Sequence, residues 1–154
     1  MTLIHRYKLL EGGEVVVWLL HMPKEKKHYN ILVIDDDSFL LDMYALKFSQ
    51  KEFEVTTASG TLEALDKLRG GLMPDIIVVD LVMPAMDGFE FLEVVNTEDL
   101  AKGALKIILS NLGQQEDIDR GLKLGAAGYI IKASATPSEV VDKVLETVEK
   151  KHKK

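Results

Sequence analysis

Between residues 30 and 150, short unbroken apolar runs alternate with segments whose apolar residues recur every three or four positions. The runs cover residues 31–34, 53–57, 76–79, 105–109 and 129–131. They are rich in Ile and Val with little polar alternation, which predicts strands covered on both faces of a parallel sheet. Helical stripes lie between them: Leu40, Leu41, Tyr44, Ala45 and Phe48 form one, and Val140, Val141, Val144, Leu145 and Val148 form the last. Thr136-Pro137-Ser138-Glu139 predicts a helix start, with Thr136 as cap, proline at the first helical position and Glu139 completing a capping box. Gly70-Gly71 and Gly125 stand where helices should stop. Five βα units joined by right-handed crossovers predict an α/β, doubly wound domain with helices on both faces of the sheet.

In such a sheet, ligands bind beyond the carboxyl ends of the strands. Asp35, Asp36 and Asp37 follow the first run, Asp80 the third, Ser110 the fourth and Lys132 the fifth. Every polar group that interrupts an apolar strand therefore falls on one edge. Singly, each has an ordinary explanation: an aspartate after a strand commonly caps a helix, a role open to Asp37 with Ser38, and a lone lysine is commonly solvated. Jointly they need a common cause. Clustered carboxylates repel and raise one another's pKa unless something compensates. A divalent cation does so, and oxygen ligands without His or Cys point to Mg²⁺. Metal, lysine and hydroxyl around a carboxylate nucleophile are what phosphoryl transfer to an aspartate requires, because the transition state spreads negative charge over three oxygens.

Composition narrows the field. The 154 residues suit one domain, and 47% hydrophobic with 29% charged residues is a soluble globular balance. A net charge of −6 argues against nucleic acid as the main partner, so no direct DNA binding is expected. The chain has no cysteine, which excludes disulfides, thiol catalysis and thiolate metal sites. The longest apolar run, residues 15–20, is far too short to cross a bilayer, and Glu11-Gly12-Gly13-Glu14 before it speaks against a signal peptide. A cytoplasmic protein is expected. Residues 1–29 form an N-terminal extension outside the βα scheme: a hairpin around Glu11 to Glu14, a disordered segment, or a mis-assigned start ahead of Met22. Residues 151–154 are expected to be a solvated basic tail.

Four motifs, ILVIDDD, MPDIIVVDLVMPAMDGFEFL, IILS and GAAGYIIK, appear in this order. With them, residues 30–150 resemble the receiver domain of two-component response regulators. The resemblance implies a flavodoxin-like (βα)5 fold with a five-stranded parallel sheet in the order 2-1-3-4-5. It also implies that Asp80 is the phosphoacceptor. Asp36, Asp80 and the backbone carbonyl of Val82 would ligate Mg²⁺, with Asp35 acting through a coordinated water. Lys132 and Ser110 would stabilise the phosphoryl group, and Tyr129 would be the aromatic that turns inward when Ser110 moves. Asp37 would be a helix-start neighbour of the site.

The positions that tune phosphoryl lifetime in that family are here Val82 and Leu112, both apolar and unable to orient an attacking water; slow self-dephosphorylation is expected. Two other positions depart from the family pattern. Lys-Pro commonly follows strand five, often with a cis bond, whereas this chain has Lys132-Ala133. A non-proline cis bond costs about 3 kcal/mol, so either a trans bond with a shifted loop or a strained cis bond is expected. Asn111 replaces a usually small residue after Ser110 and would narrow access to the site.

The implied partners are a sensor histidine kinase or phosphotransfer protein upstream and a downstream protein target. The target would dock on the face of helix four, strand five and helix five, for which Gln115, Arg120, Tyr129, Lys143 and Glu146 are candidates. The same face is open to homodimerisation. The chain itself is expected to be a signalling phosphoacceptor rather than an enzyme: its histidines, His5, His21, His28 and His152, are terminal and no nucleotide-binding loop is present. Two alternatives remain open. One is a receiver-like binding module that works without phosphorylation. The other is a Mg²⁺-dependent haloacid-dehalogenase-like phosphatase, matched loosely by Asp35-Asp36-Asp37 but poorly by Phe39.

Overall fold

The computed structural model describes residues 27–152. The expectations for residues 1–26 and for the end of the basic tail lie outside the described residues. Five parallel strands, β1 (Asn30–Ile34), β2 (Glu54–Ala58), β3 (Ile76–Val79), β4 (Leu105–Ser110) and β5 (Gly128–Ile131), form one sheet in the order β2-β1-β3-β4-β5. Five helices connect or follow them: α1 (Ser38–Gln50), α2 (Thr61–Arg69), α3 (Gly88–Thr97), α4 (Gln115–Lys123) and α5 (Pro137–His152). The doubly wound α/β architecture and the strand order agree with expectation.

The unbroken apolar strands are explained by where alternate side chains go. Ile31, Val33, Ile76, Val78, Ile107 and Leu109 face a core completed by Leu41, Tyr44 and Phe48 of α1 and by Val140, Val141, Val144 and Val148 of α5. Their neighbours Leu32, Ile34, Ile77, Val79 and Ile108 face the opposite core, with Ala64, Leu65 and Leu68 of α2 and Phe89, Phe91, Leu92 and Val95 of α3. Because both faces are buried, period-two alternation vanishes from the sequence. β2 is an edge strand, and its Val55, Thr56 and Thr57 are half-buried. That explains why its run is the most polar of the five; the strand begins one residue later than the predicted 53–57, the Phe53 N–H being bonded to the Phe48 carbonyl at the end of α1.

Helix ends follow the expected chemistry. Asp37 caps α1, its side chain accepting a hydrogen bond from the Leu40 N–H at 3.1 Å. Thr136 and Glu139 form the capping box at the start of α5, with the Glu139 N–H donating to Thr136 Oγ1 at 3.2 Å and Thr136 Oγ1 donating to Glu139 at 2.9 Å. α3 has a second capping box, between Asp87 and Glu90. α4 differs from the other helices: Gly121 is its one buried residue. A guanidinium attaches it instead, since Arg120 lies over the Phe89 ring at 4.2 Å and 3.5 Å from Glu93 on α3.

Gly88 holds α3 against the end of β3. Its N–H donates to the Leu81 carbonyl at 2.9 Å, and a Cβ there would lie 2.2 Å from the Asp80 carbonyl oxygen and 2.8 Å from Leu81 Cα. Backbone atoms cannot yield as a flexible side chain does. Gly88→Ala should therefore lower stability by about 1–3 kcal/mol, the usual cost of overpacking; urea denaturation measures it, and an unchanged midpoint would contradict the close approach.

Candidate functional site

Strand register delivers the acidic groups to one edge. Asp35 continues β1, its N–H bonded to the Ala58 carbonyl of β2 at 3.2 Å, and Asp80 continues β3, its N–H bonded to the Ile34 carbonyl at 3.1 Å. β1 and β3 are neighbours in the sheet, so their ends meet. Carboxylate oxygens of Asp35, Asp36 and Asp80 all lie within 4.8 Å of one another. Asp35 and Asp80 are 1% and 6% exposed, whereas Asp36 is exposed.

Lys132 enters from the end of β5, at the start of a short 3-10 turn formed by Lys132–Ser134. Its ammonium sits 2.6 Å from Asp35 Oδ2 and 2.8 Å from Asp80 Oδ2. The contact with Asp80 is a hydrogen bond. The contact with Asp35 is an ion pair, and the ammonium is the one partner of the buried Asp35 Oδ2 among the described residues. Asp35 Oδ1 accepts from the Asp37 N–H at 2.9 Å, and Asp80 Oδ1 accepts from the Val82 N–H at 3.3 Å.

Burial is the dominant influence on Asp35 and pushes its carboxyl above the ordinary value, against the pull of Lys132 and of the Asp37 amide. Burial opposes the charge on Lys132 too, but the two carboxylates outweigh it and raise the ammonium's pKa. Three carboxylates within 4.8 Å of one another, faced by the single ammonium of Lys132, fit a hard cation with oxygen ligands. The cluster can hold a divalent metal.

Ser110 is fully buried at the end of β4. Its Oγ accepts a hydrogen bond from the Leu112 N–H at 3.4 Å, within its own loop, and makes none to Asp80. Tyr129 packs against the core on the α2–α3 side, and its hydroxyl donates to the Leu112 carbonyl. Burial raises that phenol to about 12, with Asp117 and Asp80 adding to the shift. A Cβ at Gly121 would come 2.4 Å from Ile108 Cδ1 and 3.5 Å from the Tyr129 ring, so the missing side chain lets α4 lie close to both. Val82 and Leu112 are both exposed, at 59% and 37%. Of the surface candidates, Gln115, Lys143 and Glu146 are exposed, while Arg120 turns towards α3.

The Lys132–Ala133 bond is trans. Asn111 accepts a hydrogen bond from the Ala133 N–H at 2.9 Å. Thr61 was not foreseen. Buried at 1% exposure, it donates from Oγ1 to the Met86 carbonyl at 2.6 Å and so ties the loop after β3 to the start of α2. Nothing in the sequence links two residues 25 positions apart.

A doubly wound parallel sheet that brings three acids and a lysine together at its carboxyl edge defines a class: the aspartate-centred receivers of signalling proteins. The chain belongs to the response regulator receiver domain family, whose profile matches residues 31–145. It is 36% identical over 121 residues to the chemotaxis protein CheY of Listeria monocytogenes, across 78% of this chain and 95% of that protein. It is 31% identical over 119 residues to CheY of Halobacterium salinarum, across 77% and 95%. The crystal structure of a CheY-like receiver domain protein from Methanospirillum hungatei superimposes with a TM-score of 0.73 at 27% identity, covering 82% of this chain and 98% of that one. Aspartyl phosphorylation and Mg²⁺ binding are typical of this family.

The raised Asp35 carboxyl carries a pH signature. Between the unfolded and the raised folded pKa, the folded state binds more proton at Asp35 than the unfolded chain does, so metal-free stability falls as pH rises from the unfolded value through the folded one. Asp35→Asn should then make the metal-free protein more stable at pH 7, with the advantage vanishing below about pH 3.9. Thermal melts across pH in the presence of a chelator measure this; a variant less stable than wild type at pH 7 would show that the Lys132 pairing outweighs burial.

Proposed function

We propose that the chain is a phosphoacceptor receiver, taking a phosphoryl group on Asp80 from a phosphohistidine donor in a sensor histidine kinase or phosphotransfer protein. The observation that carries this reading is the Lys132 ammonium placed 2.6 and 2.8 Å from Asp35 and Asp80, with Asp36 in the same cluster. A carboxylate oxygen of Asp80 forms the O–P bond as the N–P bond to the donor imidazole breaks. The imidazole nitrogen keeps the bonding pair, and with a proton on the ring's other nitrogen the imidazole leaves neutral. Lys132 balances charge on a phosphoryl oxygen, and the Ser110 hydroxyl, released from Leu112, donates to another. Asp35, Asp36, Asp80 and the Val82 carbonyl would hold Mg²⁺, which when bound neutralises the carboxylates and the charge developing on the phosphoryl oxygens.

The signal leaves as a shift between pre-existing conformations. The phosphoryl group adds nearly two negative charges at the sheet edge. Movement of Ser110 towards that group frees its loop, and the loop carries the Leu112 carbonyl that anchors the Tyr129 hydroxyl. The surface formed by α4, β5 and α5 would then meet a downstream protein, with Gln115, Lys143 and Glu146 available to it. Arg120 contributes only once released from Glu93 and Phe89.

Incubation with acetyl phosphate and Mg²⁺ should give one phosphoryl adduct by intact-protein mass, lost in Asp80→Asn and without Mg²⁺. A folded wild type that gives no adduct and binds no metal would favour the binding module that works without phosphorylation. Turnover of a phosphomonoester would favour the phosphatase reading.

Val82 and Leu112 are exposed and apolar, and neither can align a water for attack on the phosphoryl group. The aspartyl phosphate should therefore be long-lived. Val82→Asn with Leu112→Glu should shorten its half-life by about ten-fold or more, since one well-placed water-orienting group is worth at least that. Decay of the adduct after donor removal measures it, and an unchanged half-life would remove these residues from lifetime control.

A further inference from the structure

Pairing between β4 and β5 ends with Ser110 opposite Ile131. One residue further on, Asn111 Oδ1 accepts the Ala133 N–H at 2.9 Å, so a side chain adds a rung where the backbone ladder stops. That rung joins the residue after Ser110 to the residue after Lys132. Ala133 lies in the first turn of the 3-10 segment, where an N–H has no partner within the turn. A proline at position 133 would have no N–H to give. The two departures from the family pattern, Asn111 and Ala133, are thus the two halves of one contact.

We propose that Asn111 is a positioning residue: through the Ala133 N–H it fixes the loop after β5, so that Lys132 and Ser110 keep a common spacing around a phosphoryl group on Asp80. The role rests on the receiver reading above. Asn111 makes no hydrogen bond to Asp35, Asp80 or Lys132 and acts through Ala133 alone. Both residues are exposed, so the contact adds little to global stability. Its effect is geometric. The ammonium of Lys132 sits on a flexible four-carbon stem, and the backbone at its base decides where it reaches. Misplacing a charge-balancing group by a fraction of an ångström weakens its hold on phosphoryl oxygens far more than it weakens the fold.

The test uses the full chain as wild type, Asn111→Ala, Asn111→Asp, Ala133→Pro and Asn111→Ala/Ala133→Pro. It reads amide hydrogen exchange at Ala133, Mg²⁺ affinity, and affinity for beryllofluoride, a phosphoryl analogue, in saturating Mg²⁺. In Asn111→Ala, the Ala133 amide should lose protection and beryllofluoride affinity should fall about five-fold, the worth of one hydrogen bond. Mg²⁺ affinity should stay within about two-fold, because no metal-binding group loses a partner. Asn111→Asp keeps the acceptor and should keep the protection. In the Ala133→Pro background, Asn111→Ala should change nothing further, because no donor is left to lose.

Unchanged beryllofluoride affinity in Asn111→Ala despite lost protection would overturn the proposal. So would an effect of equal size in the proline background, which would assign the asparagine to donor access instead. Should Ala133→Pro not fold, the exchange and affinity data on the two Asn111 variants decide. A wild type that binds Mg²⁺ but no beryllofluoride would remove the receiver reading and this role with it, while Ala133 protection would still report the hydrogen bond itself.

Discussion

One ammonium shared by two buried carboxylates sets the terms for this end of the molecule. Asp35 and Asp80 are carried there by neighbouring strands and cannot separate without breaking the sheet. With Asp36, three acid groups face the single charge of Lys132. The deficit is two charges, the charge of a divalent cation. Burial has already raised the Asp35 carboxyl, a sign that the protein alone does not fully compensate the cluster. The imbalance costs stability, and it also makes the site receptive to cations and to the phosphoryl chemistry they assist.

The scaffold holds this unfavourable arrangement by burying both faces of the sheet. The central strands β1 and β3 place alternate side chains in two separate cores, so the site is braced from both sides. Next to the acids the bracing becomes polar and specific. Thr61 ties down the Met86 carbonyl, and Gly88 lets α3 approach the Asp80 carbonyl where any side chain would collide. Asp37 links the site to α1 twice, capping the helix with its side chain and donating its N–H to Asp35. Pre-organisation of this kind lets a carboxylate act as a nucleophile without first rearranging its surroundings.

How much of this was legible depends on the length scale of each interaction. The strand runs, the helix caps at Asp37 and Thr136 and the glycine stops are local, and the sequence pattern placed them within a residue or so. The gathering of Asp35, Asp36, Asp80 and Lys132 at one edge followed from topology, because the end of every parallel strand points the same way. Strand order came from resemblance, since no local pattern encodes which strands are neighbours. What stayed hidden were pairings between distant residues: Thr61 with Met86, Arg120 with Phe89, Asn111 with Ala133. Asn111 shows the difficulty most clearly. As an isolated letter it suggested steric crowding of the site, and only the turn after the neighbouring strand revealed that its amide has a backbone partner.

The attachment of α4 has a consequence of another kind. The other four helices are seated by apolar side chains, whose burial is indifferent to moderate salt. α4 buries a glycine alone and is fastened by a guanidinium to a ring face and to an exposed glutamate. Interactions between exposed charges fade within a Debye length of about 8 Å at physiological ionic strength. The pairing of Arg120 with Glu93 is therefore open to screening, as is the exposed Arg69–Glu98 pair between α2 and α3. Salt acts on such exposed charges while the apolar sheet beneath stays as it was, and among the five helices α4 has the fewest buried side chains to hold it when its charges are screened.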